Sequence, residues 1–274
     1  MSEAVLSQRF LVRRPGLLLS GLLLAAVLVA AFAPTLFTGQ DPIAGVPSER
    51  LQGPSPGHLF GTDETGRDVF ARVVHGAGLS LRATVLAVLV AFVAGSALGL
   101  LAGFRGGWLD SVVMRIVDVL QAVPPILLSL ALVTALGFGT TNVAIAVGVA
   151  HLASFARLMR AEVLRVRSGV FVEAARASGV RWAGVLGRHV LPNALGPVLV
   201  LATVTVGIAV LEVSALSFLG FGASPPTPEW GALVAGGRNF LATAWWMTTF
   251  PGLTVAAVVL AANRVSRAFD GERS

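Results

Sequence analysis

Five long stretches of this chain contain no charged residue, and they constrain its fold more than any other feature. A helix crosses a lipid bilayer with about 20 predominantly apolar residues, and every stretch reaches that length. The third has 38 residues and contains a turn-forming segment at 137–142, so it predicts two spans. The sequence therefore predicts an all-α integral membrane protein with six transmembrane helices, drawn from Pro15–Gln40, Ala83–Phe104, Val119–Ala156, His189–Leu211 and Asn239–Asn263.

The residue types that are missing exclude several kinds of chemistry. All 20 basic residues are arginines, and the chain contains no cysteine. A Walker A loop needs a lysine on the nucleotide phosphates, so ATP hydrolysis would have to come from another chain. Without cysteine there is no disulfide, catalytic thiol or thiolate metal site. His151 has no second ligand three or four residues away, so an interfacial histidine is the favoured interpretation over a metal ligand. We expect a non-catalytic chain without a metal site.

The arginines are distributed unequally between the two sides of the predicted spans. With the N-terminus inside, 15 of the 20 lie in cytoplasmic segments. The positive-inside rule therefore places both termini in the cytoplasm. The same segregation explains the basic charge without nucleic-acid binding. The predicted order is a cytoplasmic N-terminus at 1–14, a first span at 15–40, an extracytoplasmic loop at 41–81, a five-helix core at 82–270 that includes a cytoplasmic loop at 157–193, and a cytoplasmic tail at 271–274.

The first apolar stretch has a second interpretation. Arg13 and Arg14 precede it and Ala31-Phe32-Ala33 ends it, which is the pattern of a cleaved signal peptide. The apolar segment 16–33 is longer than the 7–15 residues usual for a signal core. Its length favours an uncleaved first span.

The loop at 157–193 is the long charged interruption between spans. Residues 171–178 favour a short helix, Gly179 permits a sharp break, and 182–191 favour a second helical run that Pro192 should stop. A solvated connection is the alternative, but loops between bundle helices usually have 2–8 residues. A charged segment that consists of two helices separated by a break, and that lies outside the lipid, is suited to docking against a soluble partner.

The residues of this loop carry a family resemblance. Glu173-Ala174-Ala175, Gly179 and Leu191-Pro192 have the spacing of the cytoplasmic EAA loop of ABC importer permeases. The aliphatic position of that pattern is His189 here, which is similar to the Arg-His-Val-Leu-Pro-Asn wording of the dipeptide, oligopeptide and nickel branch, present at 188–193. The chain resembles a C-type subunit of that branch from about residue 59 to 269. The resemblance implies a type I permease fold with alternating access, located in a bacterial or archaeal plasma membrane.

The resemblance also implies partners and cargo. It implies a second, related permease subunit, two ATPase subunits that hold ATP and Mg²⁺, and an extracytoplasmic substrate-binding protein, with no cofactor in this chain itself. Glu173 would anchor the loop in an ATPase cleft, Ala174 and Ala175 would allow close approach, and Gly179 would turn the chain back to the membrane. The implied cargo is a di- or oligopeptide. Nickel complexes or another small solute are the alternative, and an ion-coupled transporter working alone is a distant one.

The polar segment before the second span offers a candidate contact for the external binding protein. It contains Gly61, Asp63, Gly66, Arg67 and Asp68, and it resembles the outward-facing segment of the same permeases. A solvated linker is the alternative for 42–56. Residues 68–74 predict the start of an amphipathic helix with its valines on one side.

Two carboxylates are candidates for the translocation path. Glu212 lies between long uncharged segments, and a carboxylate inside a bilayer costs a few kcal/mol unless it meets protein, water or a cation. It either lines the path or makes a structural hydrogen bond. Asp118 has the same alternatives, because Arg115 lies three residues away and can pair with it on one helix face.

Glycine and proline predict two further features of the spans. Gly95, Gly99 and Gly103 recur every four residues, so they line one helix face and let a neighbouring backbone approach. Pro124 and Pro125 each remove a helical hydrogen-bond donor, which predicts a kink in the third span.

Overall fold

The computed structural model describes residues 15–270, so the predicted N-terminus at 1–14 and tail at 271–274 lie outside the described residues. The described chain forms helices and turns with one isolated antiparallel bridge between Thr62 and Asp68. The helices are α1 (Pro15–Phe32), α2 (Val69–Arg105), α3 (Gly107–Gln121), α4 (Pro125–Leu136), α5 (Thr140–Arg167), α6 (Val170–Ala177), α7 (Trp182–Phe218), α8 (Trp230–Gly237) and α9 (Trp246–Asp270).

Five of these helices are long and apolar enough to cross a membrane, namely α1, α2, α5, α7 and α9. Helices α3 and α4 form a pair that is bent by 95° at a short break, and Pro124 and Pro125 lie at this break. Neither proline can donate a backbone hydrogen bond, so the ladder stops there. Counted as one broken span, the pair brings the number of candidate spans to six, and the predicted kink is confirmed.

Most spans do not begin and end where the apolar stretches of the sequence do, and two of these differences flank the loop between α1 and α2. Helix α1 ends at Phe32 rather than Gln40, and α2 begins at Val69 inside the predicted loop. The reason for the early start of α2 is its N-cap, because the Asp68 carboxylate accepts a hydrogen bond of 2.6 Å from the Ala71 amide. Val69 and Val73 are buried, as the predicted amphipathic start requires.

The chain divides into two compact units. The first contains the described part of 1–85, 136–143 and the described part of 206–274. Two tryptophans in its core hold α2 and the loop at 33–68, called the outer loop after the predicted topology, through their indole N–H groups. Trp230 Nε1 donates to the carbonyl of Val73 at 2.9 Å, and Trp246 Nε1 donates to the carbonyl of Thr62 at 3.0 Å.

The second unit contains 86–135 and 144–205, and α2 packs closely against α5 within it. A Cβ at Gly95 would lie 2.5 Å from the carbonyl oxygen of Leu152, one at Gly99 would overlap that of Ala156, and one at Gly103 would meet that of Arg160 at 3.0 Å. Only hydrogen fits at Gly95 and Gly99, and a Cβ at Gly103 would be tight. The predicted close approach along this glycine face is therefore confirmed.

The prediction that Pro192 stops a helical run is wrong. Helix α7 continues from Trp182 to Phe218, and a π-helical segment at Val185–Val190 precedes the proline. The i→i+5 pattern of that segment shifts the hydrogen-bond ladder, and Pro192 then occupies the first turn of the following α-helical segment, where proline is tolerated. The two parts of α7 therefore join without a stop.

Candidate functional site

Helix α6 is the short helix predicted between two spans, and its two sides differ sharply. Val172 is fully buried in the core of the second unit, together with Val185 and Val190 of the π-helical segment. Glu173 and Ala174 are exposed, while the neighbouring Ala175 is half-buried. One valine thus anchors the helix, and the Glu-Ala-Ala sequence faces outward.

Gly179 ends this helix in the way that the sequence predicts. Its φ is +80°, which is the left-handed region that glycine adopts at little cost. The Gly179 amide donates to the carbonyl of Arg176 at 3.0 Å, and the Val180 amide donates to that of Ala175 at 3.1 Å. These two bonds form a Schellman motif. The predicted sharp break is confirmed at this residue.

Large apolar side chains surround the exposed side of α6. Val170 is 80% exposed and Trp182 is 65% exposed, and the ring of Phe171 is about half exposed. The Trp182 ring lies 6.0 Å from that of Phe104, between ring centroids. An exposed apolar patch of this kind is typical of an interaction surface.

Leu191 and Pro192 connect α6 and its break to the long part of α7. Leu191 packs on the core of the second unit, which also contains Val172, and Pro192 is exposed. The buried Val172 and Val190 place α6 and α7 in one apolar cluster. A displacement of α6 is therefore resisted by the same packing that holds α7.

Ion pairs attach the broken span to α5 in the second unit. Arg160 binds Asp110 in a bidentate fork, with N–O distances of 2.5 and 2.6 Å. Asp118 pairs with Arg157 at 2.7 Å rather than with Arg115, so the predicted pair within one helix is wrong. The sequence spacing suggested Arg115, but the guanidinium that pairs with Asp118 belongs to α5, which packs against α3. Asp118 and Arg157 are both exposed, and an exposed pair contributes about 0–1 kcal/mol.

Glu212 lies in α7 within the first unit and is half-buried. The helix ends six residues later at Phe218, so Glu212 is about 9 Å from that end. The uncharged sequence after Glu212 suggested a deeper position, but its second half forms turns rather than helix. Asp118 belongs to the second unit.

The five residues predicted to contact a binding protein form the interior of a folded loop in the first unit. The Asp63 carboxylate accepts hydrogen bonds from the Thr65 amide at 2.8 Å, the Arg67 amide at 3.0 Å and Arg67 Nε at 2.6 Å. Burial acts to raise the pKa of Asp63, but these backbone and side-chain hydrogen bonds outweigh it and hold the pKa below its usual range.

The glycines and Asp68 of this loop are also structural. Gly66 has a φ of +78°, and a Cβ there would overlap the backbone of Val46. Gly61 has a φ of +72°, and a Cβ would lie 2.6 Å from Trp246 Nε1. Asp68 caps α2 and lies 2.9 Å from His58 Nδ1. Since Asp63 and Asp68 are buried, they shape the loop and do not present carboxylates to a partner.

A fully buried carboxylate that the sequence interpretation missed is Glu229. It caps α8 by accepting from the Gly231 amide at 3.1 Å and the Ala232 amide at 3.0 Å. Ser80 of α2 donates its hydroxyl to Glu229 Oε1 at 3.1 Å and accepts from the Trp230 amide at the same distance. Burial raises the pKa of Glu229. The available signal was a glutamate after several prolines and directly before a helix.

The described residues contain no group of three or more His, Cys, Asp or Glu side chains placed to hold a metal ion. What the second unit does present is a short exposed helix with a rigid C-terminal break. That geometry suits protein docking and mechanical coupling.

Comparison with known proteins agrees with this geometry. The family model of the binding-protein-dependent transport system inner membrane component matches residues 95–273. Dipeptide transport system permease protein DppC of Alkalihalophilus pseudofirmus is 44% identical over 242 residues, covering 88% of this chain and 78% of that protein. Glutathione transport system permease protein GsiD of Escherichia coli O6:K15:H31 is 45% identical over 211 residues, covering 77% and 70%.

Solved structures share the fold. A chain of the MetNI methionine ABC transporter, in an inward facing conformation, matches with a TM-score of 0.57 at 25% identity and covers 72% of this chain and 95% of that chain. A chain of an amino acid ABC transporter with histidines matches with a TM-score of 0.57 at 17% identity, covering 73% and 94%. These matches confirm the predicted type I permease fold.

The family model covers the whole segment from Glu173 to Pro192, and the relatives extend the match over most of the chain. The resemblance stated from those residues is therefore confirmed. This multi-pass membrane protein belongs to the family of binding-protein-dependent transport system inner membrane components, the permease subunits of ABC importers.

Proposed function

We propose that this chain forms half of the translocation pathway of an ATP-driven importer of di- and oligopeptides. The observation that carries the coupling role is α6, an exposed helix fixed by one buried valine and closed by a Schellman motif at Gly179. The peptide cargo follows from the relatives, whose names specify dipeptides, D,D-dipeptides and glutathione.

Helix α6 is the proposed docking element for an ATPase subunit. Its exposed face combines Glu173 with Ala174, and Val170 and Phe171 add apolar area at its start. Such a face fits helix-in-groove recognition, in which small residues allow close approach and apolar side chains supply the affinity. Glu173 would meet a cationic group of the partner. ATP and Mg²⁺ belong to that partner, since this chain has no lysine for a Walker A loop.

The proposed assembly follows that of binding-protein-dependent importers. It contains this chain, a related second permease subunit, two ATPase subunits and an extracytoplasmic substrate-binding protein. Both termini and α6 face the cytoplasm, as the arginine distribution supports. Closure of the ATPases on ATP would move α6 as a rigid body, and the packing of Val172 with Val190 would carry the movement into α7.

The outer loop remains the proposed docking region for the binding protein, with its contacts reassigned. Asp63 and Asp68 are buried, whereas Thr65 at the loop tip is exposed and Glu64 is half-buried. A binding protein would therefore contact exposed residues such as Thr65, whose positions the buried Asp63 and Asp68 fix. Glu212 and Asp118 remain candidates for the translocation path.

Two tests address the class and the cargo. The tagged chain, purified in mild detergent from its native membranes, should retain a second permease and Walker-type ATPases that mass spectrometry identifies. The reconstituted complex should then import a labelled dipeptide when ATP is present inside and a binding protein outside. Uptake of a nickel complex in place of peptides would show that the proposed peptide cargo is wrong. Uptake driven by a proton gradient without ATP would establish the lone secondary transporter instead.

A further inference from the structure

Helices α1 and α9 of the first unit enclose a cleft of about 540 Å³ that no role described so far uses. Leu19 and Leu23 of α1 and Ala257 and Leu260 of α9 give it an apolar floor. The side chains of Leu19 and Leu260 are 67% and 69% exposed, so the cleft opens outward along these spans. An apolar molecule of extended shape fits such a floor.

One end of the cleft is basic. Arg264 and Arg267 line it and are exposed. The guanidinium of Arg264 lies across the first turn of α1, where a Cβ at Gly16 would overlap it. None of the described residues that line the cleft is a carboxylate, and the ion pairs found among residues 15–268 do not involve these two arginines. Two positive charges therefore face the cleft together.

The basic end lies near one end of the length of α1 and α9 that would cross a bilayer. Arg264 is about 27 Å along the axis of α9 from Trp246, close to the hydrocarbon thickness of about 30 Å. Gly16 is the second residue of α1. An anionic group at headgroup depth complements this arrangement.

We propose that the cleft between α1 and α9 binds an anionic phospholipid, with its phosphate at Arg264 and Arg267 and an acyl chain along the leucine and alanine floor. A zwitterionic lipid would gain less, because its own ammonium group offsets the phosphate charge, whereas each arginine near a membrane surface strengthens binding of anionic lipid by about fivefold. The proposal requires that α1 and α9 span the membrane. It is independent of the cargo, so its failure would leave the proposed import function untouched.

Photolabelling of the intact complex tests this site. The tagged chain, with its associated subunits, is placed in phosphatidylcholine nanodiscs that contain a trace of phosphatidylglycerol or phosphatidylcholine with the same photoactivatable acyl chain. Mass spectrometry then locates the label. We expect phosphatidylglycerol to label α1 and α9 about tenfold more than phosphatidylcholine does. The double variant Arg264→Gln, Arg267→Gln should lose that preference, and Arg105→Gln, an exposed arginine outside the cleft, should keep it.

Several outcomes would overturn the proposal. Equal labelling by the two lipids in the wild-type complex would make the cleft an ordinary lipid contact, and this comparison needs no variant to fold. A preference that survives the double variant would place the anion elsewhere. Displacement of phosphatidylglycerol by excess inorganic phosphate would indicate a free-anion site. Cross-linking of Leu19 or Leu260 to a second permease, without lipid label, would make the cleft a protein interface.

Discussion

The outer loop with α8 and the short helix α6 use charged residues in opposite ways. In the first region, Asp63, Asp68 and Glu229 are buried and accept hydrogen bonds from backbone amides. In α6, Glu173 is exposed, and Val170 is exposed beside it. The three buried carboxylates are therefore used within the fold of the first region. The exposed side chains of α6, in contrast, are not covered by any other part of the described chain.

This difference separates stability from coupling. A substitution among the buried carboxylates leaves amides without an acceptor, which costs about 1–3 kcal/mol for each buried group. A substitution on the exposed face of α6 removes nothing that the chain itself uses. Loss of function without loss of folding is therefore expected only for the second region.

Glu229→Ala should have the largest effect, because it tests whether the outer region depends on its buried acceptor. The substitution removes the acceptor of the Gly231 and Ala232 amides and of the Ser80 hydroxyl. We expect a loss of about 2–4 kcal/mol in unfolding free energy, measured as a lower thermal unfolding temperature and lower yield of the purified transporter. Glu64→Ala, at a half-buried position of the outer loop, is the matched control and should change little.

The pH dependence of Glu229 sharpens this test. Because burial raises its pKa in the folded protein, folding favours the protonated form. The stabilising contribution is full below the unfolded pKa of about 4.3 and declines as the pH rises through the folded pKa. Glu229→Gln cannot titrate, so its unfolding free energy should not show this decline. The difference in unfolding free energy between the wild type and this variant should therefore become smaller as the pH rises. If that difference became larger as the pH rises, the conclusion that burial raises the pKa of Glu229 would be wrong.

Glu173→Ala is expected to break coupling while the fold survives. The side chain is exposed, and its loss should cost docking of the ATPase at least about tenfold, as for a charged anchor at an interface centre. Substrate uptake by reconstituted transporter and co-purification of the ATPase should both fall, with the unfolding temperature unchanged. Arg181→Ala, also exposed in this loop but beyond Gly179, is the control. Normal uptake by the Glu173 variant would end the coupling role.

Gly179→Val tests the break geometry apart from side-chain contacts. A valine at a φ of +80° costs roughly 1–3 kcal/mol of backbone strain, and nothing lies within 4 Å of the position of its Cβ. We expect α6 to lose its fixed end and ATP hydrolysis to respond less to substrate. Gly187→Val has equally open space and no positive φ, so it is the matched control. Equal behaviour of the two variants would show that the Schellman break has no part in coupling.

Features with a local signal were predictable from the sequence. The uncharged stretches predicted the spans, the paired prolines at 124 and 125 predicted the bend, and Gly179 predicted the end of α6, since each acts on its own helix. The glycine face of α2 was predictable because its four-residue period reports a close neighbour without naming it.

Features that depend on a distant partner were missed or misassigned. Glu229 also accepts a hydrogen bond from Ser80, 149 residues away, so the local pattern of a glutamate before a helix predicts a cap but not the burial. The depth of Glu212 was overstated because an uncharged run does not show where the helix ends. Pro192 was taken as a stop because the π-helical segment before it has no simple sequence signature.

Asp118→Asn should have the smallest effect, and it sharpens the contrast between buried and exposed charges. Asp118 and Arg157 form a short ion pair of 2.7 Å, yet both side chains are more than half exposed. Solvent screens such a pair, so we expect less than about 1 kcal/mol of destabilisation, and still less at high salt. Thermal unfolding at low and high salt measures this, with Asp110→Asn as the comparison, because the Asp110 fork with Arg160 is less exposed and should cost more. If Asp118→Asn instead abolishes uptake while the unfolding temperature stays constant, the carboxylate itself is needed for transport, and Asp118 then belongs to the translocation path rather than to the attachment of α3.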